Sequence, residues 1–383
     1  MKTATRFILI VLLITALPAT HETSASQKKF QIHEATAWQV SASFKYDTLC
    51  FLNVLTADQF YLGYYGAEYA RFAPRMTPEV RRALADLKHR IKDEHGNIIS
   101  AFLSLYYSAT EDETLDDMLR TLEDSRSMRN NLKRTTYYSD EGWRLFESVR
   151  EDLKVIFRFL KQAGFSDYWK QNMLPKVSSK IAEVEQGLPA YNVVAEVEKL
   201  LGHALPSNRI TIYMLYFARP HGIRITGTRF LTDIAWPFKI ALRNAAHEMM
   251  HPPYDLNNDS ELRKALDQLK KDSFLMDKVK HHNPDFGYNS FEGFIEEDII
   301  QALDQIINEN LKIEDDARSR WRNSDGGMHV FAVALYSVMK DENYNQKQEA
   351  LRDFLIRIIR SGKLTAGKIK PIYDSFYALK TTN

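Results

Sequence analysis

The sequence predicts a mainly α protein with one small β-sheet, and three observations point there. Apolar residues recur at three- and four-residue spacing through most of the chain. β-branched and aromatic residues gather in one short region after Leu205-Pro206, and helical spacing resumes at Pro237. With 383 residues, 44% of them hydrophobic, the chain can bury a sizeable core as one large domain or two. A net charge of +1, with no basic run interleaved with aromatics, argues against a nucleic-acid partner.

The first stretch, "MKTATRFILIVLLITALPATHETSAS", reads as a secretory signal over residues 1–25. Lys2 and Arg6 precede an apolar run from Phe7 to Leu17, and Thr23-Ser24-Ala25 supplies small residues for cleavage. That run is about 11 residues, short of the roughly 20 that cross a bilayer, so no membrane span is expected after cleavage. The expected location is exported, periplasmic or secreted.

Residues 26–205 are expected to form an α-helical domain. "YDTLCFLNVLTADQFYLGYY", "PEVRRALADLKHRIKD" and "GWRLFESVREDLKVIFRFLKQAGF" carry the helical period, with "APRMTP", "DEHGN" and "QGLPA" as breakers. The sole cysteine, Cys50, lies in apolar "LCFLNVL" and is expected to be a buried, inert thiol. A single cysteine allows no internal disulfide, which favours a bacterial envelope over an animal secretion.

Texture changes in residues 206–383. "RITIYMLYFA" and "GIRITGTRFLTDI" read as strands, the second with a bulge at Gly227. Helices follow from Pro237. The first of them carries His247-Glu248-x-x-His251. Residues four apart stack on one helix face, so two imidazoles can reach one ion at about 2.0–2.1 Å. The intervening glutamate flanks them, placed to take a proton from water activated by that ion. Phe238, Ala241, Leu242, Ala245 and Met249 gather on the opposite side, and Pro252-Pro253 stops the helix with His251 in its last turn. The competing reading is a helix whose two histidines are solvated or bonded to backbone.

A catalytic zinc site needs a third protein ligand. A continued motif with glycine at 254 and histidine at 257 is excluded by Tyr254 and Asn257. The candidate lies in "NSFEGFIEEDIIQALDQIINENL". On a helical wheel Glu292 falls about 20° from Ile299, inside an apolar stripe, where a carboxylate needs a partner or a metal. Glu292 could instead close a capping box with Asn289 as N-cap. Glu296, still within the stripe, is read as holding a histidine ring, or as the third ligand in place of Glu292. Glu297 falls with Gln301, Asp304 and Asn308 on a face read as solvated.

An HExxH helix followed by a helix opening with "EGF" resembles the gluzincin metallopeptidases, which include thermolysin-like and aminopeptidase-like families. The resemblance rests on His247, Glu248, His251 and Glu292, with Gly293-Phe294 as context, over roughly residues 208–312. Phe291, Ile295 and Pro252-Pro253 depart from the family pattern. The resemblance implies a zincin-like catalytic domain at 206–383 with one Zn2+ per chain held by His247, His251 and Glu292. Glu248 would be the general base, and the substrate a peptide or protein lying along the strand between Gly222 and Thr232. His329, Tyr336, Tyr254 and Arg224 are candidates for stabilising the oxyanion. His281-His282 is a loop pair that could rim the cleft. Two rival expectations remain: a non-catalytic exported helical protein with a zinc or peptide site, and a motif without function.

Overall fold

The computed structural model describes residues 32–256, 258–286, 288–313, 316–344 and 349–378. The anticipated signal, 1–25, lies outside them. Four short strands form one sheet: β1 (Ala37–Ala42), β2 (Arg209–Leu215), β3 (Ile223–Ile225) and β4 (Arg229–Asp233), in the order β1-β2-β4-β3. β1 and β4 run parallel to β2, while β3 turns back antiparallel onto β4 and forms one edge. The strand period of two explains the layers. Ile210, Ile212 and Met214 enter one hydrophobic core, and Tyr213 and Leu215 face another, which also takes Ile223, Ile225 and Leu231.

β1 is the strand that hydrophobic patterning did not reveal. In "AWQVSA" Trp38, Val40 and Ala42 alternate with polar residues and lie against the second core, but only Val40 is fully buried, which makes a short and weak pattern. Its pairing with β2 runs through the backbone from Ala37 opposite Arg209 to Ala42 opposite Met214.

One core is covered by α1 (Phe44–Leu55), α2 (Gln59–Phe72), α3 (Pro78–Lys88), α4 (Ile99–Tyr107), α5 (Leu115–Glu123), α6 (Arg126–Leu132), α7 (Asp140–Ser148), α8 (Arg150–Gln162) and α9 (Phe165–Asn172). Cys50 is buried there, and burial pushes its thiol well above the usual range. The other core begins with α10 (Leu174–Gly187) and α11 (Val193–Leu201). After the sheet it continues with α12 (Phe238–Met249), α13 (Ser260–Leu266), α14 (Ser273–His281) and α15 (Phe291–Asn310). It closes with α16 (Ala317–Asn323), α17 (Val330–Asp341), α18 (Leu351–Arg360) and α19 (Ile369–Ala378).

The protein is therefore mainly helical with a small four-stranded sheet. Residues 32–383 form one compact unit. The change of texture at 205/206 marks the entry into β2, whereas the change of packing partner comes earlier. Met173 belongs to the first core and Val177, Val184 and Val197 already to the second. Among the described residues no helix is long and apolar enough to cross a membrane.

Candidate metal centre

α12 follows the sheet directly, with Pro237 as its N-cap residue. Ala241, Leu242, Ala245 and Met249 are buried in the second core, and this fixes the rotation of the helix. Met250 caps it and His251 falls one residue beyond, not inside the last turn as the spacing suggested. The four-residue step still brings the two rings together: Nε2 of His247 and Nε2 of His251 stand 3.3 Å apart.

The carboxylate between them comes from α15, and it is Glu297. Its Oε1 lies 3.6 Å from His247 Nε2 and its Oε2 lies 3.5 Å from His251 Nε2. Three donors on a tetrahedral zinc, each at about 2.0–2.2 Å, stand roughly 3.3–3.5 Å from one another. The separation of the two Nε2 atoms matches such an edge, and each ring has a different oxygen of Glu297 near that distance. With one donor from each residue the three lie within 4.8 Å of one another, a group able to hold a metal ion. Glu297 Oε2 is buried with no hydrogen-bond partner among the described residues. An ionised oxygen in that condition is costly unless a cation compensates it. Two imidazoles and one carboxylate suit zinc, so the donor set fits.

The outer ring nitrogens are held by further carboxylates. Glu296 Oε1 is 3.1 Å from His251 Nδ1, and Asp304 Oδ2 is 3.8 Å from His247 Nδ1. Asp304 accepts from Arg320 and from Asn308 Nδ2 at 2.9 Å, while Arg320 also donates to Gln301 Oε1 at 2.6 Å. Gln301 Nε2 donates to Glu297 Oε1 at 2.8 Å and so steadies it. With each Nδ1 facing an acid, both Nε2 atoms are turned to the common point, the usual arrangement for ligating histidines. Burial lowers both imidazole pKa values, but the surrounding carboxylates outweigh it. His247 stands at about 9, chiefly through Glu297 and Asp304, and His251 at about 10 through Glu296 and Glu297. Against its own burial, Glu297 is held well below the ordinary carboxylate range by the two rings.

A cavity of about 650 Å³ opens on this cluster. His247, Glu248 and His251 line it, together with Ile98, Phe102 and Leu105 and with Gly222 to Arg224 at the start of β3. Burial raises the Glu248 carboxyl above its ordinary range. The Glu248 carbonyl accepts from Arg224 Nη1 at 2.7 Å, and the His251 carbonyl accepts from Tyr137 Oη at 3.3 Å. Arg224 Nε in turn donates to that Tyr137 oxygen at 3.3 Å. The edge strand and the first helical layer thus fasten the backbone on both sides of the motif. Gly222 is required for the approach: a Cβ there would sit 2.8 Å from Glu248 Oε1.

The structure brings His247, Glu248 and His251 together as expected from spacing, but not Glu292. The Glu292 side chain is 46% exposed and pairs with Lys270 Nζ at 2.9 Å. The capping box also fails, because Ser290 is the N-cap and accepts from Gly293 N. Asn289 instead donates to Gly96 O at 3.2 Å. Glu297, read as solvated, is 1% exposed. The wheel failed because it assumed one buried face. α15 is enclosed on both: its isoleucines pack in the second core, while Glu297, Gln301, Asp304 and Asn308 make a buried polar row. That row at helical spacing, in a helix otherwise rich in isoleucine, was the sequence signal for the third acid.

Most oxyanion candidates are committed elsewhere. His329 is buried between Asp298 Oδ1 at 2.7 Å and Asp325 Oδ2 at 2.9 Å. Tyr336 donates to Glu309 Oε1 at 2.5 Å. Tyr254 lines the cavity, but its hydroxyl is sealed. Arg224 is tied to α12 as described. In the loop pair, His281 pairs with Asp277 at 2.8 Å and His282 Nδ1 meets Val279 O at 3.0 Å, neither lining the cavity. Compared with protein-family models, curated proteins and solved structures, the chain finds no match in any of the three.

Proposed function

We propose that this protein is an exported zinc-dependent hydrolase, most simply a metallopeptidase, with His247, His251 and Glu297 as the zinc ligands and Glu248 as general base. The observation that carries the reading is the gathering of two Nε2 atoms and the buried Glu297 carboxylate, whose Oε2 lacks a hydrogen bond, beside a cavity. The order of sheet edge and α12 supports a zincin-like arrangement, and the signal-like pattern of residues 1–25 supports export.

When bound, zinc supplies a Lewis acid that polarises a carbonyl and acidifies water to a pKa of about 7. This chain's residues do the rest. Glu248 accepts the proton of the attacking water and later gives it to the leaving nitrogen; its burial, which favours the protonated form, suits a group that must carry a proton between two steps. Glu296 and Asp304 keep the imidazoles oriented. β3, an edge strand beside Glu248, offers unpaired backbone groups to an extended peptide, and the α4 residues keep water from its apolar side chains.

Zinc analysis with a peptide-cleavage assay tests this. The wild-type protein should carry about one zinc per chain and cleave peptides, and Glu248→Gln should keep the zinc while activity falls about 10²–10⁴-fold. Wild-type protein that binds no zinc sinks the reading. Zinc-loaded protein that cleaves nothing leaves only a binding site.

A further inference from the structure

Among the polar side chains lining the cavity, His221 has a ring nitrogen with no hydrogen-bond partner among the described residues. It sits in the turn that leads into β3, where its backbone N–H donates to Ala218 O at 2.7 Å. The next residue is Gly222, where an added Cβ would meet Glu248 Oε1. The ring is half-buried against Phe60 and Tyr61, and its Nε2 lies 2.8 Å from the Tyr61 hydroxyl oxygen. Its Nδ1 has no hydrogen-bond partner among the described residues, yet it is not one of their sealed polar atoms. Since the residue lines the cavity, that is where Nδ1 has room to find a partner.

We propose that His221 is a substrate-contacting residue of the hydrolase site, its Nδ1–H donating to a carbonyl oxygen of a peptide laid along β3. The inference rests on the reading of the site as a hydrolase. Burial, with the Lys92 charge nearby, pushes the imidazole down to about 4, so the ring is neutral in ordinary buffers and carries one proton. In the tautomer proposed, the Tyr61 hydroxyl donates to Nε2 and the ring proton sits on Nδ1. The aromatic packing and the turn fix the direction of the donor before substrate arrives, which is what makes such a group effective against developing charge. The arrangement resembles none of the carboxylate-bound histidines elsewhere in the chain. His247, His251 and His329 are surrounded by acids; His221 faces a phenol and open space.

Three variants of the zinc-loaded protein test it: His221→Ala, His221→Gln and Tyr61→Phe. His221→Ala is expected to lower kcat/KM about a hundredfold, with zinc content unchanged and Tm within about 2 °C of wild type. Glutamine should recover part of the loss because it restores an N–H, and Tyr61→Phe, which removes one hydroxyl, should cost about tenfold. Affinity for a peptide phosphinate, measured calorimetrically, should weaken in the same order. Activity and phosphinate affinity of His221→Ala within about threefold of wild type overturn the proposal, as does loss of zinc from that variant. If wild-type protein binds zinc but cleaves no peptide, the hydrolase reading fails on its own, and the phosphinate series still reports whether His221 touches a ligand.

Discussion

Two neighbouring acids on α15 build opposite kinds of histidine cluster. Asp298 faces His329, both buried, in a site where each of their strong groups is matched. Its Oδ1 meets His329 Nδ1, its Oδ2 accepts from the backbone N–H groups of Phe331 and Ala332, and Asp325 meets the other ring nitrogen. Glu297, one residue earlier, faces His247 and His251 and leaves Oε2 without a hydrogen bond. One cluster opens on a cavity and the other on nothing. A saturated polar cluster in a core serves to hold elements together, here the start of α17 against α15. A cluster with matched outer atoms and unmatched inner ones, next to solvent, is built for something that enters.

The largest effect that could break this comparison is on stability. Removing Asp298 as Asp298→Ala leaves His329 Nδ1 and two backbone donors unpaired in the core and should cost about 3–5 kcal/mol. In the metal-free protein Glu297→Gln should cost less, because glutamine keeps an acceptor for Gln301 and the two rings, once the acid is gone, can shed their protons. Urea unfolding of both variants in chelator checks this, and equal losses would erase the distinction. Next in size, Asp304→Asn removes the carboxylate facing His247 Nδ1 and should weaken zinc binding about 10–100-fold. Competition against a chromophoric chelator measures that. An unchanged zinc affinity would mean that the outer acids of α15 belong to packing alone.

The smallest effect lies far from the cavity. Asp47 is fully buried, accepting from Trp169 Nε1 and Phe217 N, and burial lifts its carboxyl from 3.8 to about 7. A carboxyl raised in the folded state contributes stability that is complete below its unfolded pKa and is lost as pH climbs through the folded value. Between pH 4 and pH 7 the Tm in chelator should therefore drift downward more in wild type than in Asp47→Asn, the neutral His221 acting the opposite way in both. Identical pH profiles in the two proteins would show that Asp47 is already ionised at acid pH.

How much of this was legible beforehand differs by element. α12 could be read almost to the residue, because its apolar side, its proline entry and its histidine pair all state one rotation. β2 and β4 were visible through their β-branched residues, and β1 was not, since its alternation is only Trp38, Val40 and Ala42, of which one is fully buried. The third acid was misread for a physical reason. Periodicity reports which face of a helix is apolar, and that equals the buried face only when the other side meets water. α15 has a helix or a polar network against both. His221 carried no signal at all: a lone histidine between proline and glycine gains its meaning from Tyr61, 160 residues away.

The account turns on which acid completes the site. Zinc titration of metal-free wild type, Glu292→Ala and Glu297→Gln, followed by calorimetry under one buffer, decides it. About one zinc per chain should bind to the wild type and to Glu292→Ala with the same affinity, and Glu297→Gln should lose most of that affinity. Full binding by Glu297→Gln, or loss of binding in Glu292→Ala, would contradict the centre described above.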